Sequence, residues 1–307
     1  MSFPPVVVIG AGSIGTFLAA RCSTVTDTLL VARDATAERF AAGITLVGAH
    51  PGHYPVRCAG WSQIERFPDG CLILVTPKIF QLQTVLPQMA AHWRPGMQPV
   101  LCQNGLGVVE EAERWLPGPA WARAIAWFGV RFEPPATAHV AGVKAMEWAG
   151  GDPQAMAGAA ELFSAIGIPP VPMGDVALVE WRKALWNVTL NGLCALAEVP
   201  NGVGAADPLL RPLAETLLAE AMAVARAEGV PVTLDDEARV FEGARVTATN
   251  LNSTLQDLWA GRPTEMPWLN GAVVARGERL GVAVPSHRLI CNLVGYLEGS
   301  GSRKRQT

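Results

Sequence analysis

A glycine-rich turn joins an apolar run to a helix-forming segment near the amino terminus. The chain reads Val6-Val7-Val8-Ile9-Gly10-Ala11-Gly12-Ser13-Ile14-Gly15. In such a turn the first glycine permits a tight bend, the second lets backbone approach a pyrophosphate, and the third allows close helix–strand packing. The amides at the start of the helix then face the phosphates. The stretch predicts strand, turn and helix, and its candidate cofactor-binding residues are Gly10, Ala11, Gly12, Ser13, Ile14 and Gly15.

Similar turns also pack a helix on a strand without any ligand, so the surrounding pattern matters. Short, almost continuously apolar runs, typical of strands buried on both faces, occur at residues 6–10, 28–33, 71–77 and 99–104. Helical patterns separate them, which indicates βαβ units and a parallel sheet. Residues 125–132 and 139–148 read as a hairpin-like pair across Glu133-Pro134-Pro135 that extends this sheet with antiparallel strands. This alternating context favours dinucleotide binding.

The second half of the chain has a different character, because strand patterns stop after residues 167–172. Asp175 is placed to cap a helix through about residue 198, and further helices are predicted at 208–228, 234–252 and 267–281. The predicted fold class is α/β, with an N-terminal Rossmann-like parallel-sheet domain (1–174) and an all-α C-terminal domain (175–307), divided near Gly174. Residues 299–307 are small and basic, and we expect them to be disordered.

Composition limits the classes of function. A length of 307 residues fits two domains. With 24 Lys and Arg against 27 Asp and Glu, the net charge of −3 gives no global attraction for nucleic acid or anionic lipid. Half the residues are hydrophobic and 17% are charged, below the usual value of about 25%, which indicates surface hidden in a domain interface, a homodimer interface or both. No stretch supplies the ~20 apolar residues of a membrane span.

The cysteines and histidines form no recognisable ligand set. The six cysteines are scattered without a CxxC pair, which is typical of reduced thiols in a cytoplasmic protein. His50 and His53 stand close together only within a Pro/Gly loop. The sequence therefore indicates no metal site.

The end of the second predicted strand bears on the choice between NAD and NADP. An acidic residue there accepts from the ribose 2′-hydroxyl, whereas an arginine pairs with a 2′-phosphate. Arg33 stands at this end and Asp34 follows it. We expect NADP(H), held by Arg33; the alternative is that Arg33 is a solvated charge and Asp34 binds the ribose.

A polar stripe runs along an otherwise apolar helix in the second domain. Lys183, Asn187 and Asn191 recur every four residues, and their neighbours are rich in Leu, Val and Trp. Such a helix is central, so the stripe is expected to line a pocket or an interdomain cleft. A lysine there can donate a proton to a ketone oxygen while the asparagines fix a carbonyl or carboxylate. The alternatives are a solvated stripe or an amide ladder that packs helices.

At these residues the chain resembles the ketopantoate reductase (2-dehydropantoate 2-reductase) family, over nearly its whole length. The motifs are the glycine loop, the arginine after the second strand, Val75-Thr76-Pro77-Lys78, Gln103-Asn104-Gly105-Leu106-Gly107, Trp181-Arg182-Lys183 with its two asparagines, Asn252-Ser253-Thr254-Leu255-Gln256-Asp257, and Thr264-Glu265-Met266-Pro267. The resemblance implies NADPH and a 2-oxo acid bound between a Rossmann domain and a helical domain.

The resemblance also implies residue roles. Lys183 would be the general acid and Glu265 would bind the substrate's terminal hydroxyl. Asn187, Asn191 and Ser253 would hold the substrate, Lys78 would contact the cofactor, and Asn104 would lie near both the nicotinamide and the reacting carbonyl. Read without the family, Glu265 suits a helix start, Ser253 a mid-helix position and Lys78 an exposed strand end.

Three features depart from the family pattern. Gly192 stands where a proline is common, Pro77 precedes Lys78, and residues 259–263 are rich in Gly and Pro. These departures bear on the geometry of the cleft more than on the chemistry.

Three functions remain open at this point. The first is NADPH-dependent reduction of 2-dehydropantoate to (R)-pantoate, a step of pantothenate and coenzyme A biosynthesis. The second is reduction of another 2-oxo acid on the same scaffold. The third is a dinucleotide-responsive binding protein without turnover, which would need no proton donor beside the nicotinamide.

Overall fold

The chain divides into two compact units. The computed structural model describes residues 3–299. One unit comprises Met1–Gln103 with Val108–Val179, and the other comprises Asn104–Gly107 with Glu180–Thr307. The sequence-based boundary near Gly174 stays a prediction; the division observed here falls after Val179.

Two sheets form the framework of the first unit. Within residues 3–299 the strands are β1 Val6–Ile9, β2 Thr28–Ala32, β3 Ile44–Gly48, β4 Gly52–Tyr54, β5 Arg57–Gly60, β6 Leu72–Val75, β7 Gln98–Leu101, β8 Ala122–Ala126, β9 Val130–Glu133, β10 Thr137–Val140, β11 Met146–Gly150 and β12 Pro170–Pro172. The larger sheet has the order β5-β2-β1-β6-β7-β8-β11-β12, and its first six strands are parallel. Its six parallel strands follow the doubly wound order of dinucleotide-binding domains. The predicted Rossmann-like fold class is confirmed.

The smaller sheet corrects the predicted hairpin. Its order is β4-β3-β10-β9, and β9 and β10 pair antiparallel across Pro134-Pro135. The predicted strand 125–132 divides between β8 and β9, and the predicted strand 139–148 divides between β10 and β11. Of these four strands β8 and β11 lie in the larger sheet, where they pair antiparallel. The reason lies in burial: β8 is almost wholly buried, whereas β10 alternates between buried and half-buried residues, as a strand covered on one face does.

Five helices accompany these strands in the described part of the first unit. They are α1 Ser13–Cys22, α2 Asp34–Ala37, α3 Leu82–Ala90, α4 Val108–Trp115 and α5 Pro153–Ala165. Phe17, Leu18 and Ala19 of α1 are fully buried in the same core as the smaller sheet's Leu46 and Ala138. The glycine loop before α1 is therefore fixed by packing on both of its sides.

The regular secondary structure in the described residues of the second unit is entirely helical. Its helices are α6 Val176–Ala197, whose first turn precedes the division, α7 Asn201–Ala206, α8 Arg211–Ala227, α9 Leu234–Val246, α10 Ser253–Trp259, α11 Asn270–Leu280 and α12 Pro285–Gly299. The backbone amide of Ala177 donates to the Asp175 carboxylate at 2.6 Å, so α6 is capped as expected.

Three predicted helices have different bounds, and the one expected to begin at residue 208 begins at Arg211. The helix expected over 234–252 stops at Val246, because Asn252 is instead the cap of α10 and its side chain accepts from the Leu255 amide at 3.0 Å. The helix expected to begin at Pro267 starts at Asn270, after a short 3-10 helix at Met266–Trp268. Of the segment expected to be disordered, Gly299 ends α12 and residues 300–307 lie outside the described residues.

A buried polar network holds α6 inside the second unit. The Asn270 amide nitrogen donates to the Val188 carbonyl at 2.8 Å and to His287 Nδ1 at 3.0 Å. His287 Nε2 then donates to the Leu217 carbonyl at 2.8 Å. Burial lowers the pKa of His287, although the bond to Leu217 opposes that shift, so the ring is neutral at pH 7. Four helices thus share one fully buried hydrogen-bonded chain.

Within residues 3–299 the structure shows no disulfide bond, no membrane-spanning helix and no cluster of metal-binding side chains. All six cysteines are free, and burial raises the pKa of Cys22 and of Cys102 to about 12, so both are protonated at neutral pH. Over the same residues, every helix is too short or too polar to cross a membrane. The described His, Cys, Asp and Glu side chains form no cluster of three that could hold a metal ion.

Candidate functional site

The three glycines of the loop after β1 have three different environments. Gly10 has a φ of +102°, and its amide donates to the Val31 carbonyl at 2.9 Å. A Cβ on Gly15 would lie 1.8 Å from the Gly10 carbonyl oxygen, so any larger residue would push α1 off the loop. A Cβ on Gly12 would meet no atom of the described residues within 4 Å. Gly10 and Gly15 thus shape the turn, while Gly12 borders open space.

The start of α1 suits a bound phosphate. Among the described residues no side chain caps this helix, and its first turn carries no acidic residue. The uncapped amides and the positive end of the helix dipole therefore meet the open space beside Gly12. The Ser13 hydroxyl accepts from the Phe132 amide at 3.2 Å and keeps its own proton for donation. These features fit the pyrophosphate of a dinucleotide.

The end of β6 packs against the same loop. The Thr76 hydroxyl lies 2.8 Å from the Ile9 carbonyl and 3.0 Å from the Gly10 carbonyl, a role that the sequence did not reveal. Pro77 ring atoms lie within 3.0 Å of the Cβ position of Gly10, so this departure from the family pattern is a packing contact. Lys78 follows half-buried, and its amide donates to the Gln81 side chain at 3.0 Å. Lys78 therefore lies at the strand end next to the loop.

Arg33 and Asp34 at the end of β2 have unlike surroundings. Arg33 is exposed, and its guanidinium has no hydrogen-bond or ion-pair partner among residues 3–299. Asp34 is engaged: its Oδ1 atom accepts from the Ser62 amide at 3.1 Å and from the Ser62 hydroxyl at 3.0 Å. The arginine is thus available to an incoming anion, whereas the carboxylate already has donors.

The polar stripe of α6 lies largely inside the second unit. Asn187 and Asn191 are 5% and 3% exposed, and Lys183 is half-buried. The Asn187 amide nitrogen is buried without a hydrogen-bond partner within the described part of the chain. A buried donor without a partner costs free energy, about 1–3 kcal/mol, and a ligand can recover this cost. A solvated stripe is therefore excluded for the two asparagines.

The two residues before Lys183 anchor the helix. Trp181 is 1% exposed, and its indole nitrogen donates to Glu228 at 2.9 Å. Arg182 donates to Asp236 at 2.7 Å. Burial acts to raise the pKa of Asp236, but hydrogen bonds from Thr233 and Arg182 prevail and hold it below its ordinary value. These contacts fix the rotation of α6 and hence the direction of the stripe.

The turn that carries Asn104 is held by the same helix and by the segment after Glu265. The Gly107 amide donates to the Glu180 carboxylate at 2.9 Å, and Glu180 is 5% exposed. The Leu106 amide donates to the Trp268 carbonyl at 3.0 Å. Gly105 has a φ of +110°, and a Cβ there would lie 3.1 Å from the Trp268 Cβ. The structure therefore brings together the Asn104 turn, the start of the stripe and residues 265–268.

Glu265 and Ser253 differ in exposure. Glu265 is 7% exposed and caps the 3-10 helix, where its carbonyl accepts from the Trp268 and Leu269 amides at 3.0 and 3.1 Å. Its position is thus both a buried carboxylate and a helix start. Ser253 is the exposed first residue of α10, not a mid-helix residue. Within residues 3–299, no hydrogen bond joins Ser253 to Lys183, Asn187 or Asn191.

Comparison with protein families settles the class of the chain. The model for "Ketopantoate reductase PanE/ApbA" matches residues 6–152, and that for "Ketopantoate reductase PanE/ApbA C terminal" matches residues 175–298. The chain belongs to the ketopantoate reductase family. It is therefore an oxidoreductase that uses a nicotinamide cofactor and a small 2-oxo acid, as the resemblance implied.

Individual relatives agree with this assignment. A 2-dehydropantoate 2-reductase from Pyrobaculum aerophilum is 32% identical over 221 residues, which cover 72% of this chain and 75% of that protein. A PanE/ApbA family ketopantoate reductase from Ralstonia eutropha JMP134 has a TM-score of 0.87 at 25% identity, covering 96% of this chain and 99% of that one. D-mandelate dehydrogenase, solved with NADH and anilino(oxo)acetate, has the same fold, with a TM-score of 0.87, 21% identity, and coverage of 96% and 99%.

One departure from the family pattern has a steric explanation. A Cβ on Gly192 would lie 2.3 Å from Ile290 Cγ2 and 3.3 Å from Met266 Cε. Glycine at this position therefore lets α12 pack directly on α6, beside the segment that carries Glu265. A proline or alanine would require Ile290 to move.

Proposed function

We propose that this member of the ketopantoate reductase family reduces 2-dehydropantoate to (R)-pantoate with NADPH. The observation that carries the proposal is the buried polar stripe of α6, in which Lys183 lies beside two asparagines that are almost fully enclosed. The Pyrobaculum aerophilum relative, which is a 2-dehydropantoate 2-reductase, supports the choice of substrate. Glu265 supports it too, since its buried carboxylate can accept from the substrate's terminal hydroxyl.

In this proposal each residue of the stripe has a separate task. When bound, the cofactor NADPH would provide the hydride for the carbonyl carbon. Lys183 donates a proton to the carbonyl oxygen, so that the C=O group becomes CH–OH. The partnerless amide of Asn187 donates to a substrate oxygen, and Asn191, Ser253 and Asn104 restrict the substrate's orientation.

The cofactor part of the proposal is supported at the first unit. The uncapped start of α1 and the open space beside Gly12 fit the pyrophosphate. The exposed Arg33 guanidinium can pair with a 2′-phosphate, whereas Oδ1 of Asp34 already accepts two hydrogen bonds from Ser62, which hold that carboxylate at residues 60–63. Lys78 lies at the strand end next to the loop. NADPH is therefore favoured over NADH.

The test is an assay of NADPH oxidation with matched substrates. 3,3-Dimethyl-2-oxobutanoate is 2-dehydropantoate without its hydroxyl group. If Glu265 binds that hydroxyl, kcat/KM falls about 10- to 100-fold for the analogue, because the buried carboxylate then lacks the hydrogen bond from the substrate. Glu265→Ala should remove this preference, whereas equal kcat/KM values in the unaltered enzyme would contradict the choice of substrate.

A second candidate is reduction of an aryl 2-oxo acid. It is favoured by the likeness to D-mandelate dehydrogenase, a protein solved with NADH and an aryl oxo acid. Phenylglyoxylate belongs in the same assay, with NADH beside NADPH. A higher kcat/KM for phenylglyoxylate would support this candidate, and tight NADPH binding without turnover of any oxo acid would indicate a binding protein instead.

We also propose that the chain forms a homodimer. Four large apolar side chains on one side of α12 are exposed in the single chain, namely Leu289, Leu293, Tyr296 and Leu297. Exposed apolar patches of this kind commonly mark protein interfaces. Light scattering should give twice the mass of one chain, and Leu293→Arg should shift it to the monomer; a monomeric unaltered protein would refute the proposal.

A further inference from the structure

A carboxylate beside the proposed phosphate-binding arginine is held by a neighbouring turn. Asp34 follows Arg33 directly, so without other contacts its charge would compete with a phosphate for that arginine. In the structure its Oδ1 atom accepts two hydrogen bonds from one residue, the Ser62 amide at 3.1 Å and the Ser62 hydroxyl at 3.0 Å. Ser62 lies 28 residues further along the chain, so this contact depends on the fold and not on local sequence.

The turn at residues 60–63, which we name the capture turn, is shaped to receive Asp34. Gly60 ends β5 and is paired with Ala32 at the end of β2, which places the turn beside the start of α2. A Cβ on Gly60 would lie 2.1 Å from Asp34 Oδ1, so only glycine leaves room for the carboxylate. The Gly60 amide donates to the Gln63 side chain at 2.8 Å, which closes the turn. The space left by Gly60 and the two donors of Ser62 therefore lie at the same atom, Oδ1 of Asp34.

Arg33 gains from this arrangement. Its guanidinium is exposed and has no hydrogen-bond or ion-pair partner within residues 3–299, although an acid is its immediate neighbour. A ribose 2′-phosphate has a charge near −2, so a free carboxylate at this strand end would weaken its binding and could instead accept from a 2′-hydroxyl. The hydrogen bonds from Ser62 hold the Asp34 carboxylate at the capture turn and partly offset its charge, which weakens both effects.

We propose that the capture turn is a specificity determinant of the cofactor site: Gly60 and Ser62 withhold Asp34 so that Arg33 can bind a 2′-phosphate. This inference rests on the proposed use of NADPH, but it concerns different residues and fails separately. In this proposal the preference for NADPH depends on the end of β5, outside the glycine loop, because residues there hold Asp34 away from the ribose. Asp34 does not contact the ribose in this proposal, and Ser62 is the positioning residue that holds it in place.

Binding of two cofactor fragments to the full chain tests the proposal without turnover. Adenosine 2′,5′-bisphosphate carries the 2′-phosphate and 5′-AMP has a free 2′-hydroxyl, so the ratio of their Kd values, measured by calorimetry, reports selection at this position. Ser62→Ala removes one of the two donors, and Gly60→Ala forces the carboxylate away. We expect the preference for the bisphosphate to fall roughly three- to tenfold in Ser62→Ala, and further in Gly60→Ala.

Two further variants identify the cause. Adding Asp34→Asn to Ser62→Ala should restore the preference, because the released side chain then has no charge. Ser164→Ala, an exposed serine of α5 in the same unit, should leave the ratio unchanged. Far-ultraviolet circular dichroism and Tm should match the unaltered protein in both serine variants, since both side chains are exposed.

The outcomes separate the two proposals. A preference of the unaltered protein for 5′-AMP would refute the use of NADPH. A preference for the bisphosphate that stays within twofold in both Ser62→Ala and Gly60→Ala would overturn the capture turn alone. The same conclusion would follow if the loss in Ser62→Ala persisted after Asp34→Asn, because the charge would then not be its cause.

Discussion

Glu180 offers a sharp test of how the Asn104 turn is positioned. Its carboxylate is 5% exposed and accepts from the Gly107 amide at 2.9 Å, three residues before Lys183 on the same helix. A hydrogen bond to a charged group contributes about 1.5–3 kcal/mol, and its removal takes this acceptor from the half-buried Gly107 amide. Glu180→Ala should therefore lose about 2 kcal/mol of unfolding free energy, whereas Glu180→Gln, which keeps an acceptor, should lose about half of that.

Activity distinguishes positioning from stability alone. If Glu180 fixes Asn104, then Glu180→Ala lowers kcat/KM for 2-dehydropantoate about tenfold or more at a temperature where the variant is fully folded, and Glu180→Gln recovers most of this loss. The assay is steady-state NADPH oxidation, paired with urea unfolding to confirm folding. Glu242→Ala, an exposed carboxylate on α9, is the matched control.

A double-mutant cycle completes this test. Asn104→Ala and Glu180→Ala should be non-additive in kcat/KM, because both act through one turn. Full additivity, or an unchanged kcat/KM in Glu180→Ala despite its lower stability, would refute the positioning role.

Three other predictions concern packing and pH. Gly192→Ala should lower the free energy of unfolding by about 1–3 kcal/mol, and Ile290→Ala should partly restore it by removing the clashing side chain. Gly158→Ala is the control, because its Cβ would meet open space and should not destabilise the helix. Equal effects at both glycines would contradict the steric explanation. The lowered pKa of Asp236 means that its stabilisation is present above its unfolded value of about 3.9 and is lost as pH falls through the lower folded value. Asp236→Asn should therefore be destabilised by about 2 kcal/mol at pH 7, with a smaller difference in acid urea titrations; a constant difference would refute this. The pKa of His287 is also lowered in the folded state, so as pH falls the unfolded state takes up the imidazole proton first. The free energy of unfolding should therefore decline below about pH 6.5, and this decline should be smaller in His287→Gln. Equal pH dependence in the two proteins would contradict this prediction.

The central strands could be predicted because burial leaves a local signature. β1, β2, β6 and β7 are apolar at nearly every position, and the predicted ranges contain all of them apart from Gln98, which begins β7. β3 and β4 escaped prediction because they are short, half-exposed and bordered by glycines. β4 pairs with β3, and the other partner of β3 is β10, which lies far along the chain.

The candidate site shows the same limit. Helical spacing alone predicted that Lys183, Asn187 and Asn191 share a stripe, and the burial of the asparagines agrees with a helix that is central to its unit. The roles assigned to these residues stay predictions. Local patterns gave no sign of the Glu180–Gly107 contact or of the Asp34–Ser62 contact, which join residues 73 and 28 positions apart. Such long-range contacts depend on tertiary structure, and the residues involved carry no distinctive local motif.

The effect of replacing Lys183 on kcat tests the proposed proton donor most directly. Lys183→Met keeps much of the side chain's volume and removes its charge and its proton. We predict that kcat for 2-dehydropantoate falls at least about 100-fold while the Kd for NADPH, measured by fluorescence, changes little. Lys144→Met, an exposed lysine of the first unit, should keep the normal kcat. A kcat for Lys183→Met within threefold of the unaltered enzyme would contradict the proposed role of the stripe.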